Sequence, residues 1–384
     1  MRMIESMEKS RFRLGIVFNF NPKWTGGLIY VLNCIKILNY LDDKDKPIVV
    51  ILYPEHLKKY LEEIEYPFLE AKASIFPSIY KGYVQSFFKN KNVFVHDLVL
   101  AHKLDAVFPM HDYPIKSKLD AKLVSWYADL QHMYYPQFFA RRKILERNAR
   151  IKLILKNSRD LVVSSQAVKD DFLHFFNVPK SLKIHIYHFV SIVDNLPNIS
   201  QNDIIKKYQL PEEYFMICNQ FHKHKNHKVV FNALAKLKNN NQRLHIAITG
   251  RFPEEANSEY LKELHQLIAD NNLNDDITFL GLIPRGDQLL LMKYAKAIIQ
   301  PSLFEGWSTV IEDAKSLQVP VIASDLKVNI EQLGERGTYF ESHNYSQLAA
   351  LLQQHPKRNY AEQHYESYES RMKKAAYELL SVFK

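Results

Sequence analysis

Glycine is scarce in this chain. Ten of 384 residues are glycine, under half of the ~7% usual in globular proteins. The positions that do hold glycine therefore say more than usual about backbone need, and several follow a strand-like run, where a turn or a ligand needs room. Cysteine is scarcer still. Cys34 and Cys218 are the only two, which excludes a disulfide scaffold and fits a reducing compartment. No apolar run approaches the ~20 residues of a membrane span. The opening MRMIESMEKSRFR lacks the apolar core of a signal peptide, and residues 1–10 are expected to be a poorly ordered lead-in. These absences point to a cytoplasmic protein. What is present is ordinary in bulk: 47% hydrophobic and 24% charged residues exclude wholesale disorder. At roughly 100–200 residues per domain the length implies two or three domains. The net charge is +9, which favours anionic partners, but no recognised nucleic-acid motif accompanies it and no nucleic-acid partner is expected.

Short apolar runs alternate with helical patterns along the chain. Strands are expected at 13–19, 46–53, 104–109, 122–126, 159–165 and 183–189. A polar stretch, 195–213, reads as a linker. The alternation then restarts, with strands at 214–219, 243–250, 277–281, 297–302 and 319–324 and helices at 227–238, 257–271, about 287–295, about 309–318 and about 345–354. Two doubly wound α/β domains follow, each with a parallel sheet covered by helices. The expected boundaries are 1–200 for the first domain and 201–358 for the second. A C-terminal helix, 359–384, carries acidic and basic faces. Such sheets bind ligands outside the carboxyl ends of their strands, and domain interfaces favour pockets, so the chemistry belongs in loops after strands, facing a cleft.

The most informative loop lies in QPSLFEGWSTVIEDAKSLQVPVIASD (300–325). Gly306 lets backbone approach a ligand. The N–H groups of Trp307, Ser308 and Thr309 sit at a helix N-terminus, which suits a diphosphate. Glu305 can accept hydrogen bonds from sugar hydroxyls. Thr309 with Glu312 forms a capping-box pattern, a purely structural reading of Glu312. Asp313 lies one residue on, upon another face, and serves either a ligand or the helix dipole. In FMICNQFHKHKNHKVV (215–230), Lys223 and Lys225 follow a strand and can neutralise a diphosphate. Cys218, His222, His224 and His227 lack standard zinc spacing, and Cys218 in an apolar strand reads as a buried thiol. Gly250 ends another strand. In the first half, Gly26 and Gly27 open a helix after the first strand, and His132 follows the strand KLVSW. Asp43-Lys44-Asp45 falls in a charged turn at the opposite end of the sheet and reads as solvated surface.

Glu305-Gly306, an acid eight residues after Glu305, and then Ala314 resemble the carboxylate motif of glycosyltransferase family 4, retaining enzymes of the GT-B fold. The family motif is two glutamates with seven residues between. Here the second position is Asp313, with Glu312 just before it. The resemblance covers about 205–345 and extends more faintly over 13–33, 105–109 and 126–139. It implies that Glu305 contacts the donor sugar and Asp313 the ribose, and that Lys225 stabilises the leaving diphosphate. The family's arginine, five residues before that lysine, falls on Gln220, which adds no charge. Lys223 is placed to compensate. Backbone near Ile283 would hold the base, the loop at Gly26 and Gly27 would approach the donor phosphate, and His132 would contact the donor sugar. The C-terminal helix would pack back on the first domain.

The resemblance thus implies transfer of a sugar, hexosyltransferase-like, from a nucleoside-diphosphate sugar to a hydroxyl of a glycan or lipid-linked acceptor, with retention and without metal or cofactor. A sugar-nucleotide epimerase of similar architecture and a non-catalytic nucleotide-sugar-binding protein are the rival readings. Two stretches, 78–92 with interleaved aromatics and lysines and the basic 141–156, suit either peripheral contact with the inner face of a membrane or ordinary amphipathic helices.

Overall fold

The computed structural model describes residues 11–21, 25–62, 64–194, 196–251, 259–356, 358–360, 362 and 364–384. The expected lead-in at 1–10 lies outside them. The chain divides into two compact units: residues 1–189 with 369–384, and residues 190–368.

The first unit holds a seven-stranded sheet. Its strands are β1 (Arg13–Val17), β2 (Ile48–Tyr53), β3 (Leu69–Ala73), β4 (Ala106–Phe108), β5 (Lys122–Trp126), β6 (Asp160–Val163) and β7 (Lys183–Ile186). They run in the order β3-β2-β1-β4-β5-β6-β7 with every pairing parallel. Strands covered on both faces have to be apolar throughout, and β2, Ile-Val-Val-Ile-Leu-Tyr, is buried from its second residue to its last. Strand order reverses between β1 and β4. The helix Thr25–Lys36 follows β1.

The second unit holds six strands: β8 (Phe215–Ile217), β9 (Ile246–Thr249), β10 (Ile277–Gly281), β11 (Ile298–Gln300), β12 (Val321–Ser324) and β13 (Thr338–Phe340). Their order is β10-β9-β8-β11-β12-β13, again all parallel. The chain winds outward from β8 in one direction and from β11 in the other. The crevice between β8 and β11 is therefore the switch point, where such sheets bind ligands. Gly250 is required here. A Cβ on it would lie 2.2 Å from the Asn219 carbonyl oxygen, so the loops after β8 and β9 approach too closely for any side chain.

Three features differ from the sequence reading. The stretch 195–213 is not a linker. It contains the helix Gln201–Lys207, capped by the Ser200 hydroxyl, which accepts from the Asp203 amide at 3.2 Å. Ile204 and Leu210 enter the second unit's core, because their apolar side chains outweigh the polar composition around them. The edge strands β3 and β13 were not anticipated. A strand with one neighbour needs no continuous apolar run, and β3, Leu-Glu-Ala-Lys-Ala, pairs Glu70 with Arg13 at 3.0 Å and with Lys72 at 3.4 Å. The last helix is Tyr368–Phe383, shorter than the expected 359–384. Lys373 and Tyr377 on this helix reach Asp42 at 2.9 and 2.8 Å, and Tyr377 reaches Asp45 at 3.0 Å. The Asp43–Asp45 turn is thus a seat for the C-terminal helix as well as a solvated turn.

Candidate active site

β11 ends in Gln300, and Asn219 follows two residues after the end of β8. Asn219 Nδ2 donates to Gln300 Oε1 at 3.1 Å across the switch point, and Gln300 is fully buried. Burying such groups is tolerable only when they are paired. Gln300 Nε2 donates onward to Glu305 Oε1 at 2.8 Å. The same oxygen receives Lys225 Nζ at 2.5 Å. The structure thus brings Lys225 and Glu305 together from two loops, 80 residues apart in sequence. Both are mostly covered, with side-chain exposures of 18% and 11%.

Backbone and side-chain bonds lock these loops. Asn226 adopts a left-handed conformation, φ 54°, which asparagine tolerates better than most residues. Its Nδ2 donates to the carbonyls of Pro301 at 3.1 Å and Ser342 at 2.8 Å. The Leu303 amide donates to the His224 carbonyl at 2.7 Å. His227 is buried beneath, stacked on Phe221 with centroids 4.6 Å apart. Burial, and secondly Lys225, push its pKa down to about 3. His222 is also lowered, by burial and then by Lys225. The loop thus keeps these histidines neutral and leaves the positive charge to lysine.

The helix Thr309–Ser316 begins differently from the expected capping box. Its N-cap is Ser308, whose hydroxyl accepts from the Ile311 amide at 3.3 Å. Glu312 falls one turn-position too late for the box. It is fully buried, and its Oε1 accepts from Lys315 at 3.0 Å and Gln332 Nε2 at 2.8 Å. The Ser308 amide, expected to be open to an anion, donates to Gln332 Oε1 at 3.1 Å. A single glutamine, distant in sequence, therefore occupies part of the helix N-terminus. Asp313 is 1% exposed and turns the other way, accepting from Arg285 and from the Ser191 hydroxyl. Burial opposes the charge on Arg285, but Asp313 more than offsets it and raises its pKa. Cys218 lies in the same neighbourhood, its thiol pushed up to about 12 by burial. Cys218, His222, His224 and His227 do not converge, and among the described residues no group of three or more His, Cys, Asp and Glu is placed to hold a metal.

The other predicted residues fall at neighbouring strand ends. The Gly250 amide donates to the Gly281 carbonyl at 3.0 Å, and Gly281 takes φ 63°. Ile283 packs on the core beside the exposed Leu282. Gln220 is exposed and pairs with His222 Nε2 at 3.0 Å; Lys223 is exposed beside it. Gly306 and Trp307 are half-buried in the loop after β11.

In the first unit, Gly26 is exposed and Gly27 buried in the first turn of Thr25–Lys36. His132 is 1% exposed, with Nε2 2.9 Å from Asn148 Oδ1 and its ring edge-on to Phe139. Burial is the main cause of its lowered pKa. A donor contact would require this ring to be uncovered. Sequence reasoning passed over His111, which follows β4 at that sheet's own switch point. Its Nδ1 lies 3.2 Å from the Trp126 carbonyl, and Asp112 beside it pairs with Arg150 at 2.7 Å. The signal was a histidine just after an apolar strand and a proline.

Residues 200–378 match the family model described as "Glycosyl transferases group 1". The chain is 28% identical over 212 residues to the O-antigen chain mannosyltransferase RfbU of Salmonella typhimurium, covering 55% of this chain and 54% of that protein. It thus spans about half the length of that curated relative. Among solved structures, a glycosyltransferase from Rickettsia africae superposes with a TM-score of 0.63 at 15% identity, covering 97% of this chain and 96% of the other. Anabaena Alr3699/HepE in complex with UDP and glucose gives 0.60 at 18% identity, covering 97% of each. At these identities the likeness is one of fold.

Two parallel α/β units of this topology define the GT-B fold of glycosyltransferases. Within it, the second unit and the start of the C-terminal helix carry the match to the group 1 glycosyl transferases.

Proposed function

We propose that this chain is a retaining glycosyltransferase of family 4, moving a sugar from a nucleoside-diphosphate sugar to a hydroxyl acceptor during assembly of a cytoplasmic glycan or glycolipid. The observation that carries the proposal is the Lys225–Glu305 pair at the β8/β11 switch point. The match to group 1 glycosyl transferases and the similarity to an O-antigen mannosyltransferase support it.

In this reading the pair is the resting state of the donor site. The leaving diphosphate takes Lys225, and a sugar hydroxyl donates to the released Glu305 carboxylate. Each group thereby exchanges one partner of opposite polarity for another, and neither is left uncompensated in a largely buried place. As the glycosidic bond breaks, negative charge grows on the diphosphate, and a fixed ammonium there lowers the barrier. Lys223 and Gln220 add the outer phosphate contacts, with Gly306 giving the backbone room. Asp313 is assigned to the ribose, which competes with Arg285 for it, and the loop from Gly281 to Ile283 to the base. Glu312 has a structural role through Gln332 and Lys315. The proposal includes no metal or cofactor and gives no step to His132.

The test is thermal stability in the presence of UDP, GDP, ADP, CMP and dTDP, followed by product analysis with the matching sugar conjugates. A ligand at 100 times its dissociation constant, binding only the folded chain, adds about 2.7 kcal/mol. A selective shift with one nucleoside diphosphate is expected. Failure of all of them at millimolar concentration would overturn the proposal, and a sugar isomerised without any acceptor would replace it with an epimerase.

A further inference from the structure

The helix Ile79–Lys89 of the first unit is amphipathic the wrong way round. Its buried side is built from small and polar groups. Gly82 packs so tightly that an added Cβ would lie 2.0 Å from the Phe94 ring. The Ser86 hydroxyl accepts from the Val93 amide at 3.2 Å, and the Tyr83 hydroxyl donates to the Asp112 carbonyl at 3.0 Å. Its large apolar residues point outward. Tyr80, Phe87 and Phe88 are each 80% exposed or more, Val84 is 40% exposed, and Ile75 in the preceding loop is 97% exposed. At 100° per residue, Tyr80, Val84, Phe87 and Phe88 form one stripe, with Lys81, Gln85 and Lys89 along its flank. Exposing two adjacent phenylalanines on a folded surface is costly unless something covers them.

Charge says what covers them. From Ile75 to His96 there is no acidic residue, and Lys81 and Lys89 form no ion pair among the described residues. The helix ends at Asn90, which also lines a groove of about 820 Å³ carrying Lys116, Lys118, Lys156 and Arg159. Asn92 fastens the helix's exit to that groove, donating to the carbonyls of Tyr113 and Ile115 at 3.1 Å. None of those four cations has an ion-pair partner among the described residues, and Asp120 is the one unpaired acid lining the groove. The helix Arg141–Asn157 supplies Lys156 to that groove, but four of its other cations are paired. Its Arg142 and Lys143 pair with Glu146, Arg147 with Asp129, and Arg150 with Asp112.

We propose that the outward stripe of Ile79–Lys89, with the loop at Ile75, inserts shallowly into an anionic lipid bilayer, and that the adjoining groove receives the phosphates of its head groups. Aromatic rings seat at the interface between head groups and acyl chains, while lysines at its edge meet anionic lipid. No helix of the described residues is long and apolar enough to cross a membrane, so the contact is peripheral. It stands apart from the donor-site proposal, and its test reads no sugar transfer.

The experiment is flotation of the full chain with vesicles of phosphatidylcholine containing phosphatidylglycerol, against phosphatidylcholine alone. The wild type is expected to float with the anionic vesicles only and to be released by high salt. The double variant Phe87→Ser/Phe88→Ser, both residues being solvent-facing, is expected to keep the wild-type circular dichroism and to bind about tenfold more weakly or worse. Tryptophan emission from Phe88→Trp is expected to shift to the blue with anionic vesicles, relative to the wild type. Equal flotation of wild type and double variant would overturn the proposal. So would a vesicle-free dimer, by light scattering, that the double variant dissociates, since the stripe would then be covered by a second copy.

Discussion

Lys225 and Glu305 meet at one oxygen, and the donor-site proposal predicts different consequences for removing each. Lys225→Ala is expected to lower turnover by about 10²-fold or more, the size of losing one preorganised electrostatic stabiliser. Glu305→Gln leaves the ammonium without its counter-charge. Nucleoside-diphosphate binding should then hold or tighten while transfer falls, as titration calorimetry and initial rates would show. Weaker nucleotide binding in Glu305→Gln would contradict the exchange of partners. His227 gives a second residue-scale expectation. Its pKa is near 3 in the fold against about 6.5 in an unfolded chain. The unfolded state therefore binds the extra proton between those values, and stability falls as pH drops from about 6.5 towards 3. The midpoint of urea unfolding should decline with acidification over that window, and His227→Phe should decline less steeply. The carboxylate and the lysine were legible in the sequence because a charged residue in the loop after an apolar strand lies at the end of the sheet where ligands bind. Asn219, Gln300 and Gln332 were not, since an amide side chain carries no signal of which partner it will meet.

Elements were readable wherever burial on both faces imposed a continuous apolar run, as in β2 or β8. They were missed where one neighbour sufficed, as in β3 and β13, or where two apolar side chains hid in polar surroundings, as in Gln201–Lys207. The start of Thr309–Ser316 was read correctly, but its N-cap was misplaced by one residue, because Ser308 and Thr309 are both good caps and only the backbone conformation chooses between them. The helix Ile79–Lys89 yields a prediction at this scale. Gly82→Ala forces a methyl group against the Phe94 ring, which is held by stacking on Tyr113 at 4.2 Å. A loss of about 1–3 kcal/mol is expected from such overpacking, measurable by urea unfolding. An unchanged midpoint would mean that the ring gives way.

Across the molecule, the chain leaves the first unit at Phe189 and returns to it at Glu369. The returning helix Tyr368–Phe383 buries Met372, Ala375, Ala376, Leu379, Leu380 and Phe383. Phe383 packs on Phe108 of β4, with centroids 5.5 Å apart, and Lys122 of β5 donates to the Val382 carbonyl at 2.7 Å. Ending the chain at Ser367 should therefore expose a broad apolar surface on the first unit and cost it more than about 5 kcal/mol, seen as aggregation or lost near-ultraviolet dichroism. The milder Leu379→Ala should lose about 2–5 kcal/mol.

The sequence by itself determined that two parallel α/β units would form, that Lys225 and Glu305 would lie in loops at strand ends and that Asp313 would lie on the helix that follows, because hydrophobic period and loop position are local properties. Tertiary structure alone decided which groups share a partner. Gln300 was placed against Asn219, Gln332 against Ser308 and Glu312, and Arg285 against Asp313. It also decided that His132 would be buried and that Phe87 and Phe88 would not. Those outcomes depend on residues tens of positions apart arriving in one place, and no local pattern encodes that meeting.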